Sequence, residues 1–265
     1  MIPAIRSEFR KFFTTRMWWG MAIAIFVAGG AFAALFAWVV DQGSAGGPGA
    51  TPIAGSDTQV ANTVYTSGLS VGYLLLLTIG VLSIGAEYRH KTISATFLAV
   101  PRRTRAMLAK VVSLVGIGAL YGLVSLVGSV AVGAVALSLI DRPLFPSSEV
   151  YRSLALSLLV LGLWALIGLG IGILIPNQVA ALLIGVGVAW IVEPLLGLAL
   201  RAWEFGRENV AQFLPSSATN AVVNGITQGS GEVRLEWWGG ALVLATYAVL
   251  LAGFGIWRTT RADIS

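Results

Sequence analysis

Residues 153–200 read SLALSLLVLGLWALIGLGIGILIPNQVAALLIGVGVAWIVEPLLGLAL, with Glu193 as the only charged side chain. About 20 apolar residues in a helix are needed to cross roughly 30 Å of hydrocarbon. The stretch holds two such runs, 153–175 and 179–200, separated only by Ile175-Pro176-Asn177-Gln178. Proline and the two amides in that interruption mark a tight turn. The pair is therefore a membrane helical hairpin, and the whole chain must be read as a membrane protein.

Four more runs have the same character, at about 17–40, 69–86, 108–140 and 237–257. The third crossing, 108–140, is long enough to be tilted or to project from the bilayer. Apolar residues make up 57% of the 265 positions and charged residues 11%, less than half of the roughly one quarter usual in soluble domains. The run from Met17 to Val40 exceeds the 7–15 residues of a signal-peptide core, so it is expected to be a retained first helix. There are no cysteines, which removes disulfides, thiolate metal sites and cysteine nucleophiles. Glycines recur at helix-packing spacings, as in Gly116, Gly118, Gly122 and Gly168, Gly170, Gly172. Small residues let membrane helices approach closely where water supplies no drive between them.

The basic excess of +5 reflects topology rather than nucleic-acid binding. With the N-terminus inside, Arg6, Arg10, Lys11, Arg16, Arg89, Lys91, Arg102, Arg103, Arg105, Lys110, Arg258 and Arg261 are cytoplasmic. That is 12 of the 17 Lys and Arg residues, the bias expected of an even number of spans with both termini in the cytoplasm. The expectation is an all-α polytopic protein forming a single transmembrane domain over 1–265, in a bacterial plasma membrane and in contact with its lipid.

Three segments do not cross. Residues 1–16 place Ile2, Ile5, Phe9, Phe12 and Phe13 at helical spacing with Arg6, Arg10 and Lys11 elsewhere on the wheel, as in a helix lying flat on an anionic membrane surface. The outer loop 41–68 begins Gly43-Ser44-Ala45-Gly46-Gly47-Pro48-Gly49 and is expected to be flexible and without a site. In the outer loop 201–236, Ser216 is placed to cap a short helix that ends near Gly225 and dips into the outer leaflet.

The strongest local signal is the cytoplasmic loop Glu87-Tyr88-Arg89-His90-Lys91-Thr92-Ile93-Ser94-Ala95-Thr96-Phe97-Leu98-Ala99-Val100-Pro101-Arg102-Arg103-Thr104-Arg105. Ile93, Phe97 and Val100 form one apolar stripe on a short helix closed by Pro101. The loop either anchors topology alone or docks its stripe into a groove on a cytoplasmic partner. The order acid-Tyr-Arg-His-x-Thr, a short apolar helix and then Pro-Arg-Arg resembles the permeases of type-2 ATP-binding-cassette exporters. The resemblance extends to the amphipathic start, the six spans, the long outer loop before the last span and the basic tail Trp257-Arg258-Thr259-Thr260-Arg261-Ala262-Asp263.

That resemblance implies two permease subunits, identical or related, and two ATPase subunits per complex. It implies that 87–101 couples nucleotide-driven motion to the spans through Glu87, Tyr88, Arg89, His90, Thr92, Ile93, Phe97, Pro101 and Arg102. It also implies that the second and fifth spans line a central path, for which Tyr73, Trp190 and Glu193 are candidates. For each of the three, packing is the plainer alternative, and for Glu193 it is stabilisation of a kink at Pro194. ATP and magnesium would sit on the partner, because the chain has no G-x-x-x-x-G-K-[ST] and none of Lys11, Lys91 and Lys110 follows a glycine. The chain itself is expected to be a transport subunit and not an enzyme, with no cofactor of its own. A mostly apolar lining suits a hydrophobic or amphipathic cargo such as a drug, lipid or peptide.

Other classes fit less well. An ion-coupled carrier usually needs intramembrane acid or histidine relays, and one glutamate is present. An intramembrane metalloprotease needs several ligands, and His90 is the sole histidine. A non-transporting immunity or scaffold protein would have no ATPase partner.

Overall fold

The computed structural model describes residues 1–44, 56–99, 102–223 and 235–261. Every regular element among them is helical. Six helical stretches are long and apolar enough to cross a membrane: Met17–Gln42, Asp57–Arg89, Arg103–Leu139, Ser148–Leu174, Gln178–Arg201 and Trp237–Thr259. The chain is thus an all-α polytopic membrane protein.

The elements run in order as α1 (Ile2–Thr14), α2 (Met17–Ser44), α3 (Asp57–Thr66), α4 (Leu69–Arg89), α5 (Ile93–Ala99), α6 (Arg103–Leu139) and α7 (Ser148–Leu174). Then follow α8 (Gln178–Gly187), α9 (Glu193–Arg201), α10 (Pro215–Val223) and α11 (Trp237–Arg261). A π-helical turn, Val188–Val192, joins α8 to α9 within one crossing. Helix α6 holds 37 residues, about 55 Å at 1.5 Å per residue, so it projects beyond the hydrocarbon.

The bundle centres on α7, which packs against α4, α6 and α11, while α2 lies along α6. Glycine makes the tightest crossing possible. A methyl group on Gly80 would collide with the Ala165 carbonyl, and one on Gly168 with that of Leu77. Gly172 likewise meets Val81 and Ile84 of α4, whereas Gly170 faces Leu251 and Ala252 of α11. The glycine row of the fourth crossing therefore serves two neighbours at once. One turn from the Leu77–Gly168 contact, Tyr73 stacks on Trp164 with ring centroids 4.4 Å apart, worth about 0.5–1.5 kcal/mol beyond burial. The Trp164 indole donates to the Thr219 hydroxyl at 3.0 Å, which ties α10 to the bundle.

Two expectations need correction. The outer segment 41–68 is not wholly a loop, because residues 57–66 form α3. Its Val60, Ala61, Val64 and Tyr65 are buried against α2, α6 and α7. Ser56 and Gln59 form a reciprocal capping box at its start, and polar residues between the apolar ones conceal the helix from a hydropathy reading. The second crossing accordingly runs from Asp57 with only Ser67-Gly68 as a joint. Asp57 also pairs with Arg142 at 2.9 Å, and the Tyr65 hydroxyl donates to the Leu144 carbonyl. The second correction concerns α10. Its Ser216 backbone N–H donates to the Glu193 carboxylate, so the cap comes from another helix and not from Ser216. Most of the glycine-rich stretch 43–49, Gly225 and the final residues Ala262 and Asp263 lie outside the described residues.

Candidate functional site

At the end of the bundle that carries α1, the corner between α4 and α5 is built from backbone first. The N–H of Lys91 bonds the Tyr88 carbonyl, and the N–H of Thr92 bonds that of Glu87 at 3.0 Å. This double closure of a helix end requires a left-handed residue, supplied here by Lys91 with φ of 55° instead of by glycine. The turn ends α4 and starts α5 at once, since the Thr92 carbonyl accepts from the Thr96 N–H.

Helix α5 then lays its apolar stripe onto the bundle. Ile93 and Phe97 are buried in the main hydrophobic cluster, and the Arg103 guanidinium sits over the Phe97 ring at 5.5 Å. Ile93 and Phe97 of the stripe expected to enter a partner's groove thus pack into this chain's own core beside the start of α6, and Val100 lies outside the described residues. What α5 leaves outward is Ser94, Ala95 and Leu98, the last 83% exposed. The strong amphipathy of this helix was visible in the sequence; the surface that takes its apolar side was not.

Beneath that corner lies a charge cluster linking three helices. The buried Lys110 of α6 bonds Glu87 of α4 at 3.1 Å, the Ser83 carbonyl at 3.3 Å and the Glu8 carboxylate of α1. Lys11 of α1 reaches both Glu8 and Glu87 at 2.7 Å. Two acids and two bases alternate, and their formal charges cancel. Burial by itself would raise the Glu8 carboxyl, but Lys110 and Lys11 outweigh it and hold the group below the usual carboxylate value. For Lys11 burial pulls the other way from its partners, and the bonds to Glu8 and Glu87 win, holding its ammonium above the ordinary lysine value. Apolar contacts seal the cluster: Phe12 meets Tyr121 edge-on at 5.8 Å, and Gly116 accommodates the Phe9 ring.

Of the residues singled out from the sequence, Glu87, Thr92, Ile93 and Phe97 meet at this corner. Tyr88 is half-buried and shares a hydrogen bond with Thr259, joining the α11 end to it. Arg89, His90 and Arg102 are exposed. Pro101 lies outside the described residues. Glu8, Lys11 and Lys110 were not recognised as a group. The available signal was Lys110 itself, a lysine two residues into the expected third span, which demands a counter-charge.

Of the three path candidates, the buried Tyr73 and Glu193 lie close enough to interact electrostatically, whereas Trp190 is 63% exposed. Tyr73 is in the core against Trp164, and Glu193 is buried with the start of α10. Glu193 follows the π turn and precedes Pro194, where the helix register is already broken, and its carboxylate accepts from the Ser216 N–H at the start of α10. Among the described residues no cluster of His, Asp and Glu could hold a metal. Comparison with protein-family models and with curated proteins finds no match.

Proposed function

We propose that this chain is the membrane-spanning permease of an ATP-driven exporter, with α5 as the lever pushed by a separate nucleotide-hydrolysing subunit. One observation carries the reading: α5 is cemented on its inner side and bare on its outer side. Ile93 and Phe97 bury it in the core beside the start of α6, while Ser94, Ala95 and Leu98 are exposed. A push on that outer side is transmitted to the crossings because the Glu87 turn gives α5 no independent hinge. Alternating access needs two arrangements of the spans that nucleotide favours differently.

The remaining parts of the reading fit this arrangement. ATP and magnesium belong to the partner, and this chain holds the α1 end in the cytoplasm. The crossing Gln178–Arg201 is the least covered of the six, with Leu183, Trp190, Ile191 and Leu195 exposed. A second permease subunit covers that side in the proposed assembly. The cargo is hydrophobic or amphipathic. The charge cluster would serve an ion-coupled carrier only if it lay along the path; it sits at the bundle end and is internally neutralised.

The test is purification from native membranes. An ATP-binding polypeptide should accompany the chain, and Leu98→Asp should release it without changing insertion or melting. Retention of the partner by that variant would refute docking at α5. Transport that continues with ATP present after collapse of the proton gradient separates the exporter from an ion-coupled carrier.

A further inference from the structure

Helix α1 buries Phe12 and the Glu8 side, yet its other side is also shaped. A hollow of about 570 Å³ runs along it, lined by Pro3, Arg6, Ser7, Arg10, Lys11 and Thr14. Three cations line it and no carboxylate does. Arg6 and Arg10 are exposed, and no described residue bonds or pairs with either guanidinium. Beside them Ile2 is 81% exposed and Phe13 38%, followed by exposed Trp18 and Trp19 at the start of α2. Exposed tryptophans at the start of a crossing mark the headgroup level of the bilayer. The hollow is therefore at the depth where lipid phosphates lie.

Lys11 belongs to both the hollow and the buried cluster. Its ammonium has three donors. Two are taken by Glu8 and Glu87, and the third faces the Thr96 hydroxyl of α5 at 3.5 Å, long for a hydrogen bond. That donor can turn to a phosphate oxygen without giving up either carboxylate. Guanidinium groups match phosphate oxygens in bidentate fashion, which suits Arg6 and Arg10 to hold the same group.

We propose that the α1 hollow binds the phosphate headgroup of an anionic lipid, held by Arg6 and Arg10 and shared with Lys11. Bound lipid is then one cation away from Glu87 and from Thr96, so the composition of the leaflet beside α1 reaches the α4–α5 corner. The inference rests on the membrane placement of α1 and is independent of the exporter reading.

The test uses the full chain in neutral detergent, with bound lipids counted by native mass spectrometry. Phosphatidylglycerol should bind in preference to phosphatidylcholine. At roughly tenfold for every 1.4 kcal/mol, loss of two surface cations in Arg6→Ala/Arg10→Ala should weaken that preference about 30-fold. Melting in phosphatidylcholine should stay unchanged, because both side chains stand clear of the body. Retained preference in the double variant overturns the site, and so does a lowered melting temperature, which would mean the arginines support the fold. Free glycerol phosphate at equal concentration should not displace the lipid; if it does, the site belongs to a soluble anion.

Discussion

Replacing Lys110 by methionine removes the one cation that is enclosed on all sides by the charge cluster. Lys110 has 3% of its side chain exposed, and Glu8 and Glu87 have 10% and 8%. After Lys110→Met, two nearly buried carboxylates share Lys11 alone, whose side chain is 46% exposed. Taking one partner from a buried ion pair costs about 3–5 kcal/mol, chiefly because the other charge is left without compensation. For a chain of this size each kcal/mol moves the midpoint by about 2–4 °C, so the midpoint should fall by about 10 °C. Adding Glu8→Gln removes the surplus carboxylate and leaves Lys11 facing Glu87. The double variant should then recover half or more of the loss. The assay is thermal unfolding in one fixed lipid, read for both single variants and the double. A midpoint within about 2 °C of the parent for Lys110→Met, or no recovery on adding Glu8→Gln, would show that these charges are not coupled through burial.

Glu8 gives a pH signature. Its carboxyl is held below 4.5, so its stabilising share is complete above that value and is lost as pH falls through the lower folded value. Hydrogen exchange of residues 2–14, corrected for intrinsic rates, should accelerate only in that acid range, and Glu8→Gln should abolish the step. Glu193→Gln keeps an oxygen for the Ser216 N–H and should melt close to the parent, whereas Glu193→Leu strands that donor and should cost about 1–3 kcal/mol. If the glutamine variant melts as low as the leucine one, the charge and not the hydrogen bond is what matters there. Lys91→Gly relieves the left-handed residue at the α4 end and should add about 0.5–1 kcal/mol by thermal unfolding. A drop in stability would show that the Lys91 side chain carries an interaction of its own.

How far the sequence could be read depended on whether a feature is local. Helix identity in a membrane is local, since every backbone group must be satisfied within its own segment. The apolar runs around 153–175 and 179–200 therefore announce their crossings, and Asn177 caps α8 as the Pro-Asn-Gln turn suggests. Helix α3 escaped because its apolar face is narrow and partners on α2, α6 and α7 complete it. The α5 stripe was legible as a stripe, yet the same spacing serves a partner's groove or the chain's own core. Glu8, Lys11, Glu87 and Lys110 are separated by up to 102 positions, so only the packing of α1 across α4 and α6 could reveal them as one group.

The most direct measurement uses the chain's lack of cysteine. Leu98→Cys, labelled with a photoactivatable maleimide and illuminated in native membranes, should cross-link to a nucleotide-hydrolysing polypeptide in a yield that changes with added ATP. The same label at Phe97→Cys should attach within this chain instead. If position 98 yields only lipid adducts or none, no ATP-driven partner grips α5 and the exporter account is contradicted.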